Sequence, residues 1–169
     1  MLKLATAFSG IGAIEQALKR LSIDYQIEFA CDNGDVEIEI DHNKELQKIK
    51  KMKDVKEKRL YVENLYKTLS RKTNFVERAY KANYEVQNDN FFYDVKLLDG
   101  TDFYNKIDLF VGGSPCQSFS VIGSRGGLED ARGTLFYEYA RLVKEIQPKV
   151  FIYENVYGVL THDKGNTWK

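Results

Sequence analysis

The chain has 169 residues, 43% of them hydrophobic, which is enough for one well-buried core and too few for two full domains. Its 25 Lys and Arg balance 25 Asp and Glu, so a polyanion would have to be met by a local patch rather than by global charge. Two cysteines (Cys31, Cys116) and two histidines (His42, His162) exclude a disulfide framework and a metal cluster, and no apolar run can span a bilayer, so a cytoplasmic protein with no membrane partner is expected.

Leu2 to Phe8 is a short apolar run that breaks at Ser9-Gly10-Ile11-Gly12, after which Ile14, Ala17, Leu18 and Leu21 recur at helical spacing. This predicts strand, glycine turn, helix. Tyr25 to Cys31 predicts a second strand, parallel to the first and ended by the turn Asp32-Asn33-Gly34-Asp35. From Asp41 to Tyr80 the composition changes to 12 Lys and Arg against 6 Asp and Glu, without Gly or Pro. Apolar residues every three or four positions (Leu46, Ile49, Met52, Val55, then Val62, Leu65, Leu69) predict amphipathic helices, a basic helical insert at about 37–82. Its lysines suit a solvated face or a surface for DNA phosphates.

Asn83 to Leu98 predicts a strand with an irregular approach, and Ile107 to Val111 a central strand covered on both faces. The stretch Ser114 to Arg132, rich in Gly, Ser and charge, predicts a long functional loop. Gly133 or Thr134 opens a helix to about Ile146, and Val150 to Tyr153 predicts another buried strand before a final loop. Alternating strands and helices indicate an α/β fold with a mostly parallel sheet, whose ligands lie beyond the carboxyl ends of the strands. Every conspicuous motif here follows a predicted strand.

The glycine turn suits close approach of a nucleotide-like cofactor or an ordinary tight turn. Asp32 is placed either to accept hydrogen bonds from a ribose or to cap a helix. Cys116, ringed by Ser114, Pro115 and small residues just beyond a buried strand, has the setting of a thiolate nucleophile, whereas Cys31 reads as a small buried hydrophobe. Glu154 follows a neighbouring strand, so a carboxyl and the thiol would converge from one edge of the sheet.

The segments FSGIGA, GGSPCQSFS, RGTLFYEYARLVKEIQPKVFIYENV and HDKGNT, in this order, resemble the cytosine carbon-5 DNA methyltransferases over nearly the whole chain except the basic helical stretch. The resemblance implies a Rossmann-like S-adenosylmethionine-dependent methyltransferase fold, incomplete at the C-terminus. Residues 1–169 would be a partial catalytic domain lacking the target-recognition domain. It implies that Phe8, Gly10, Ile11 and Gly12 line the S-adenosylmethionine pocket, with Phe8 against the adenine, and that Asp32 holds the ribose. Asp94 and Val95 match the adenine-amino motif, with Asp99 as the competing register. Asn33 departs from the bulky residue the family often has after the ribose acid. Gly113, Pro115 and Leu135 match positions near the reactive methyl, Cys116 matches the nucleophile, and Glu154, raised in pKa by partial burial, would meet ring nitrogen 3.

Gln117, Ser118, Ser120, Ser124 and Arg125 would contact double-stranded DNA from a loop that closes over an everted base. A prokaryotic or phage-encoded enzyme of a restriction-modification or phage context is expected, as a fragment or as a split subunit needing a complementing chain. The rival readings are a non-catalytic methyltransferase-like module binding nucleic acid or a partner chain, and a nicotinamide-dependent Rossmann enzyme. The latter leaves Pro115-Cys116-Gln117 unexplained.

Overall fold

The computed structural model describes residues 1–115 and 134–157. The chain runs β1 (Leu2–Ala7), α1 (Ala13–Arg20), β2 (Tyr25–Cys31), α2 (His42–Ile49), α3 (Val55–Leu69), α4 (Phe75–Asn83), β3 (Phe91–Phe92), β4 (Leu109–Gly112), α5 (Thr134–Ile146) and β5 (Val150–Tyr153). The strands form one sheet in the order β3-β2-β1-β4-β5, with every pairing parallel. Strand order reverses between β1 and β4, so their carboxyl ends open the crevice in which such sheets hold ligands.

The two-residue side-chain period sorts each strand between two cores. Ala5, Phe29 and Phe110 point to the face covered by Tyr139, Leu142 and Ile146 of α5. Their neighbours Leu4, Ala30 and Val111 point to the opposite face, against Leu18 of α1 and Tyr80 of α4. The expectation that the apolar run after Ile107 is covered on both faces is therefore met, with the strand itself beginning at Leu109.

Amphipathic helices do fill the basic stretch. Asp41, Asp54 and Asn74 cap them by accepting from the backbone N–H of Lys44, Glu57 and Glu77. Ile49, Val62 and Tyr66 join Val36, Ile38 and Leu97 in a satellite core, while Tyr80 carries α4 into the main one. Not all of the cations are solvated. Lys58 is buried on Asp99 (2.7 Å) and Asp102 (2.8 Å), and Arg59 is buried on Glu63 and Asp89.

Two strand expectations need correction. Between Asn83 and Leu98 only Phe91–Phe92 is a strand, because a 3-10 turn with Asn88 and Asp89 at positive φ breaks the extended path before it. The last strand is not buried. Val150, Phe151 and Ile152 are 54%, 56% and 49% exposed on an edge strand paired, among the described residues, only with β4. A continuous apolar run does not distinguish a central from an edge strand.

Under the glycine turn lies a buried acid. Glu15 of α1 is 1% exposed and accepts hydrogen bonds from Tyr80 and Thr6, while its second oxygen finds no partner among the described residues. Burial pushes its pKa up, and the hydrogen bonds only partly offset that. An acid with a raised folded pKa loses stability as pH rises from its unfolded value towards its folded one. Glu15→Gln is therefore expected to melt with wild type near pH 4 and at or above it at pH 7–8. A thermal scan series showing a deficit that grows with pH would contradict this.

Candidate active site

The carboxyl ends of β1, β2 and β4 and the start of α5 surround a cavity of about 340 Å³. Phe8, Asp32, Asp94, Val95, Gly113, Pro115 and Leu135 line it together, although they come from five separate stretches of sequence.

The first wall is the turn after β1. Phe8 (φ 56), Gly10 (φ 53) and Gly12 (φ 88) are all left-handed, which lets the chain reverse into α1 within four residues. A Cβ on Gly12 would lie 2.2 Å from the ring of Tyr84, whose hydroxyl donates to the Gly12 carbonyl (3.0 Å). The Ser9 hydroxyl bonds β2 at Cys31, locking the turn to the sheet. Phe8 faces the cavity. Gly10, Ile11 and Gly12 do not line it but shape the turn, and Ile11 is 73% exposed.

Asp32 sits at the end of β2 and accepts from Gly10 N–H (2.9 Å) and Gly34 N–H (2.8 Å). It does not cap a helix, since Asp41 caps α2. Burial pushes its carboxyl pKa up against the pull of those two N–H groups. Each oxygen keeps a lone pair directed away from its amide donor, so the carboxylate has capacity for a ligand hydroxyl.

Asp94 and Asp99 part company in space. Asp94 lines the cavity, buried, accepting from Tyr66 hydroxyl (3.0 Å) and Lys96 N–H (2.9 Å), with His42 Nε2 at 3.3 Å. Burial pushes its pKa up, but His42, the Lys96 amide and Tyr66 outweigh that and hold it below the usual carboxylate value. Asp99 is absent from the cavity, where it would be the competitor. It caps the 3-10 turn Gly100–Phe103 and binds Lys58. Val95 is fixed by its carbonyl, which accepts from Arg141 of α5 (2.7 Å).

At the other end, the N–H of Glu154 donates to Gly112 (2.9 Å), and a Cβ on Gly113 would lie 2.8 Å from Glu154 Oε2. The carboxyl thus rests on the bare backbone beside Gly113. The residue is exposed, not partly buried as expected, and β5 pairs among the described residues only with β4. Asn155 ties the two strand ends together by donating to the Ser114 carbonyl (3.1 Å) and to Tyr153 (2.9 Å). Cys116, Gln117, Ser118, Ser120, Ser124, Arg125 and the HDKGNT segment lie outside the described residues. Cys31 is fully buried in the core, where burial first, then the charges of Asp94 and Asp32, push its thiol well above the usual range.

Sequence reading missed His42, Tyr66, Tyr93 and Ile38, which also line the cavity. His42 and Tyr66 belong to α2 and α3, Ile38 precedes α2 and Tyr93 follows β3; a local pattern says which residues share a face or a turn but not what they meet. Among the described residues no cluster of His, Cys, Asp and Glu suits a metal ion, and no helix is long and apolar enough to cross a membrane.

Comparison with known proteins gives this geometry a context. Orphan methyltransferase M.SPRI of Bacillus phage SPR is 36% identical over 166 residues, 98% of this chain but 29% of that protein. Type II methyltransferase M.Eco47II of Escherichia coli is 54% identical over 74 residues, 44% of this chain and 18% of that protein. The chain therefore spans less than a third of these relatives. The S. pombe Dnmt2 methyltransferase shares the fold, with a TM-score of 0.56 at 19% identity over 96% of this chain and 38% of that one. The profile of the C-5 cytosine-specific DNA methylases matches residues 68–169, and with more than half of its length so matched the chain belongs to that family.

Proposed function

We propose that this chain is the cofactor-binding and nucleophile-bearing part of an enzyme that methylates carbon 5 of cytosine in double-stranded DNA, using S-adenosylmethionine. The supporting observation is the convergence of Phe8, Asp32, Asp94, Val95, Gly113, Pro115 and Leu135 on one cavity, with the Glu154 carboxyl close against Gly113 of its lining. The donor set fits the cofactor. A volume of about 340 Å³, the rings of Phe8, Tyr66 and Tyr93, apolar Val95, Pro115 and Leu135, and the carboxylates of Asp32, Asp35, Glu37 and Asp94 suit a cationic adenosine derivative. Phe8 would pack on the adenine, Asp94 would accept from its amino group, and Asp32 from the ribose hydroxyls. Tyr66, whose hydroxyl donates to Asp94, and Ile38 line the same cavity and would take up the packing that Asn33 is too small to provide.

S-adenosylmethionine supplies an electrophilic methyl group when bound. Cytosine carbon 5 is a poor nucleophile, and the Cys116 thiolate corrects that by adding to carbon 6, which leaves an enamine with its electron pair at carbon 5. Glu154, as a protonated carboxyl, would donate to ring nitrogen 3 and stabilise the negative charge that builds there. Loss of the carbon-5 proton to a base then expels the thiolate. A stacked base cannot reach this edge, so the cytosine is everted, and Gln117, Ser118, Ser120, Ser124 and Arg125 hold the flanking phosphates. The matched relatives are far longer than this chain. Target reading is therefore assigned to sequence beyond these residues or to a complementing chain.

Calorimetric titration with S-adenosylhomocysteine tests the pocket. Asp32→Ala, which removes the ribose acceptor, is expected to weaken binding about 10- to 100-fold, the value of one or two charge-assisted hydrogen bonds. Absence of binding by the wild-type chain would refute the reading.

A further inference from the structure

A second cavity, of about 580 Å³, opens at the elbow between α3 and α4. It shares Tyr66 and Tyr93 with the cofactor cavity but has a different chemistry. Arg71, Lys72 and Arg78 line it, all exposed, and none makes an ion pair among the described residues. The acids that share the lining are already engaged. Glu63 is held by Arg59 and Lys67, and Glu77 by Lys81 (2.8 Å) and the Tyr93 hydroxyl. What faces solvent is therefore uncompensated positive charge, next to the 68%-exposed ring of Phe75 with the Arg78 guanidinium 5.8 Å from its centre. The chain has zero net charge, so attraction to a polyanion depends on local groups of cations such as this one.

The notch also lies on the reaction edge of the sheet. Asn74, in the elbow, donates to the Asp32 carbonyl (2.8 Å) and packs against Gly34, so the elbow is pinned to the carboxyl end of β2. In the order β2-β1-β4-β5, that end is three strand spacings from the end of β5, where Glu154 sits. At about 4.8 Å per spacing this is about 14 Å, or about four base pairs of duplex at 3.4 Å each.

We propose that the α3–α4 elbow is a phosphate-contact site for duplex DNA, engaging the backbone about four base pairs from the everted cytosine through Arg71, Lys72 and Arg78. The proposal rests on the reading that the chain acts on cytosine in DNA. The elbow adds affinity and fixes how the duplex lies across the sheet edge, and it carries no sequence information of its own.

The test is fluorescence anisotropy of the full chain with a labelled 20-base-pair duplex between 50 and 200 mM salt. The triple variant Arg71→Ala, Lys72→Ala, Arg78→Ala is compared with a control of equal charge loss, Lys51→Ala, Lys53→Ala, Lys56→Ala. Removing one phosphate-bound cation flattens the slope of log affinity on log salt by about 0.9, so the elbow variant is expected to show a slope shallower by about 2 to 3 and the control much less change. Equal changes in both would mean diffuse attraction and overturn the proposal, as would wild-type slope in the elbow variant or no DNA binding by the wild type. S-adenosylhomocysteine titration of the same proteins separates the two readings. Retained cofactor binding with an unaffected DNA slope sinks the elbow alone, whereas no cofactor binding sinks the proposed function.

Discussion

Cys116→Ala is expected to abolish methyl transfer, by roughly 10⁴-fold or more, and to eliminate the covalent adduct with duplex DNA containing 5-fluorocytosine. The measurement is adduct formation on a denaturing gel, with S-adenosylmethionine and a complementing segment that supplies target reading. Fluorine at carbon 5 cannot leave as a proton does, so the cysteine bond to carbon 6 persists and reports the nucleophile directly. Cys31→Ala is the control. Its thiol is fully buried among Ala5, Phe29 and Phe110, and burial holds it protonated, so this substitution is expected to leave the adduct intact. An adduct that survives Cys116→Ala, or depends on Cys31, would remove the proposed chemistry.

The largest expected loss of stability is at Lys58. Its ammonium, on a 6%-exposed side chain of α3, bridges Asp99 (2.7 Å) and Asp102 (2.8 Å) on the segment that follows β3. Alanine there leaves two carboxylates facing each other without the cation they share, a situation that costs about 3–5 kcal/mol. In a domain of this size that lowers the melting temperature by about 10 °C. Adding Asp99→Asn and Asp102→Asn to Lys58→Ala is expected to recover part of the loss, because the repulsion disappears with the charges. A melting temperature within about 2 °C of wild type for Lys58→Ala would show that water reaches the pair and screens it. Because this ion cluster anchors the stretch just after Asp94, cofactor affinity is expected to fall with it.

The two positions differ in how visible they were beforehand. Cys116 stands out in a linear reading, because a cysteine between Pro115 and Gln117 just after an apolar strand has few bland explanations. Lys58 does not: it is one of 12 cations in a basic stretch, and nothing local separates it from its solvated neighbours. Its partners lie more than forty residues away. The same limit explains the errors at the strands. Val150 to Tyr153 has the composition of a buried strand, yet exposure depends on what lies beside it, and the paired neighbour is β4 alone among the described residues. The exposed Glu154 follows from that placement.

What the sequence by itself determined was local and periodic. The apolar runs, the glycine turn, the amphipathic helices and the residue types after each strand followed from backbone sterics and from the two-residue and 3.6-residue periods. The α/β class followed from their alternation. Only the tertiary structure put Asp94 in the cavity and Asp99 on Lys58, brought His42 and Tyr66 onto the Asp94 carboxylate, buried Lys58 and left β5 paired, among the described residues, with β4 alone. Each of those outcomes depends on contacts between residues distant in the chain. Their energies are set by burial and by the partner that arrives, and neither is written in the neighbouring residues.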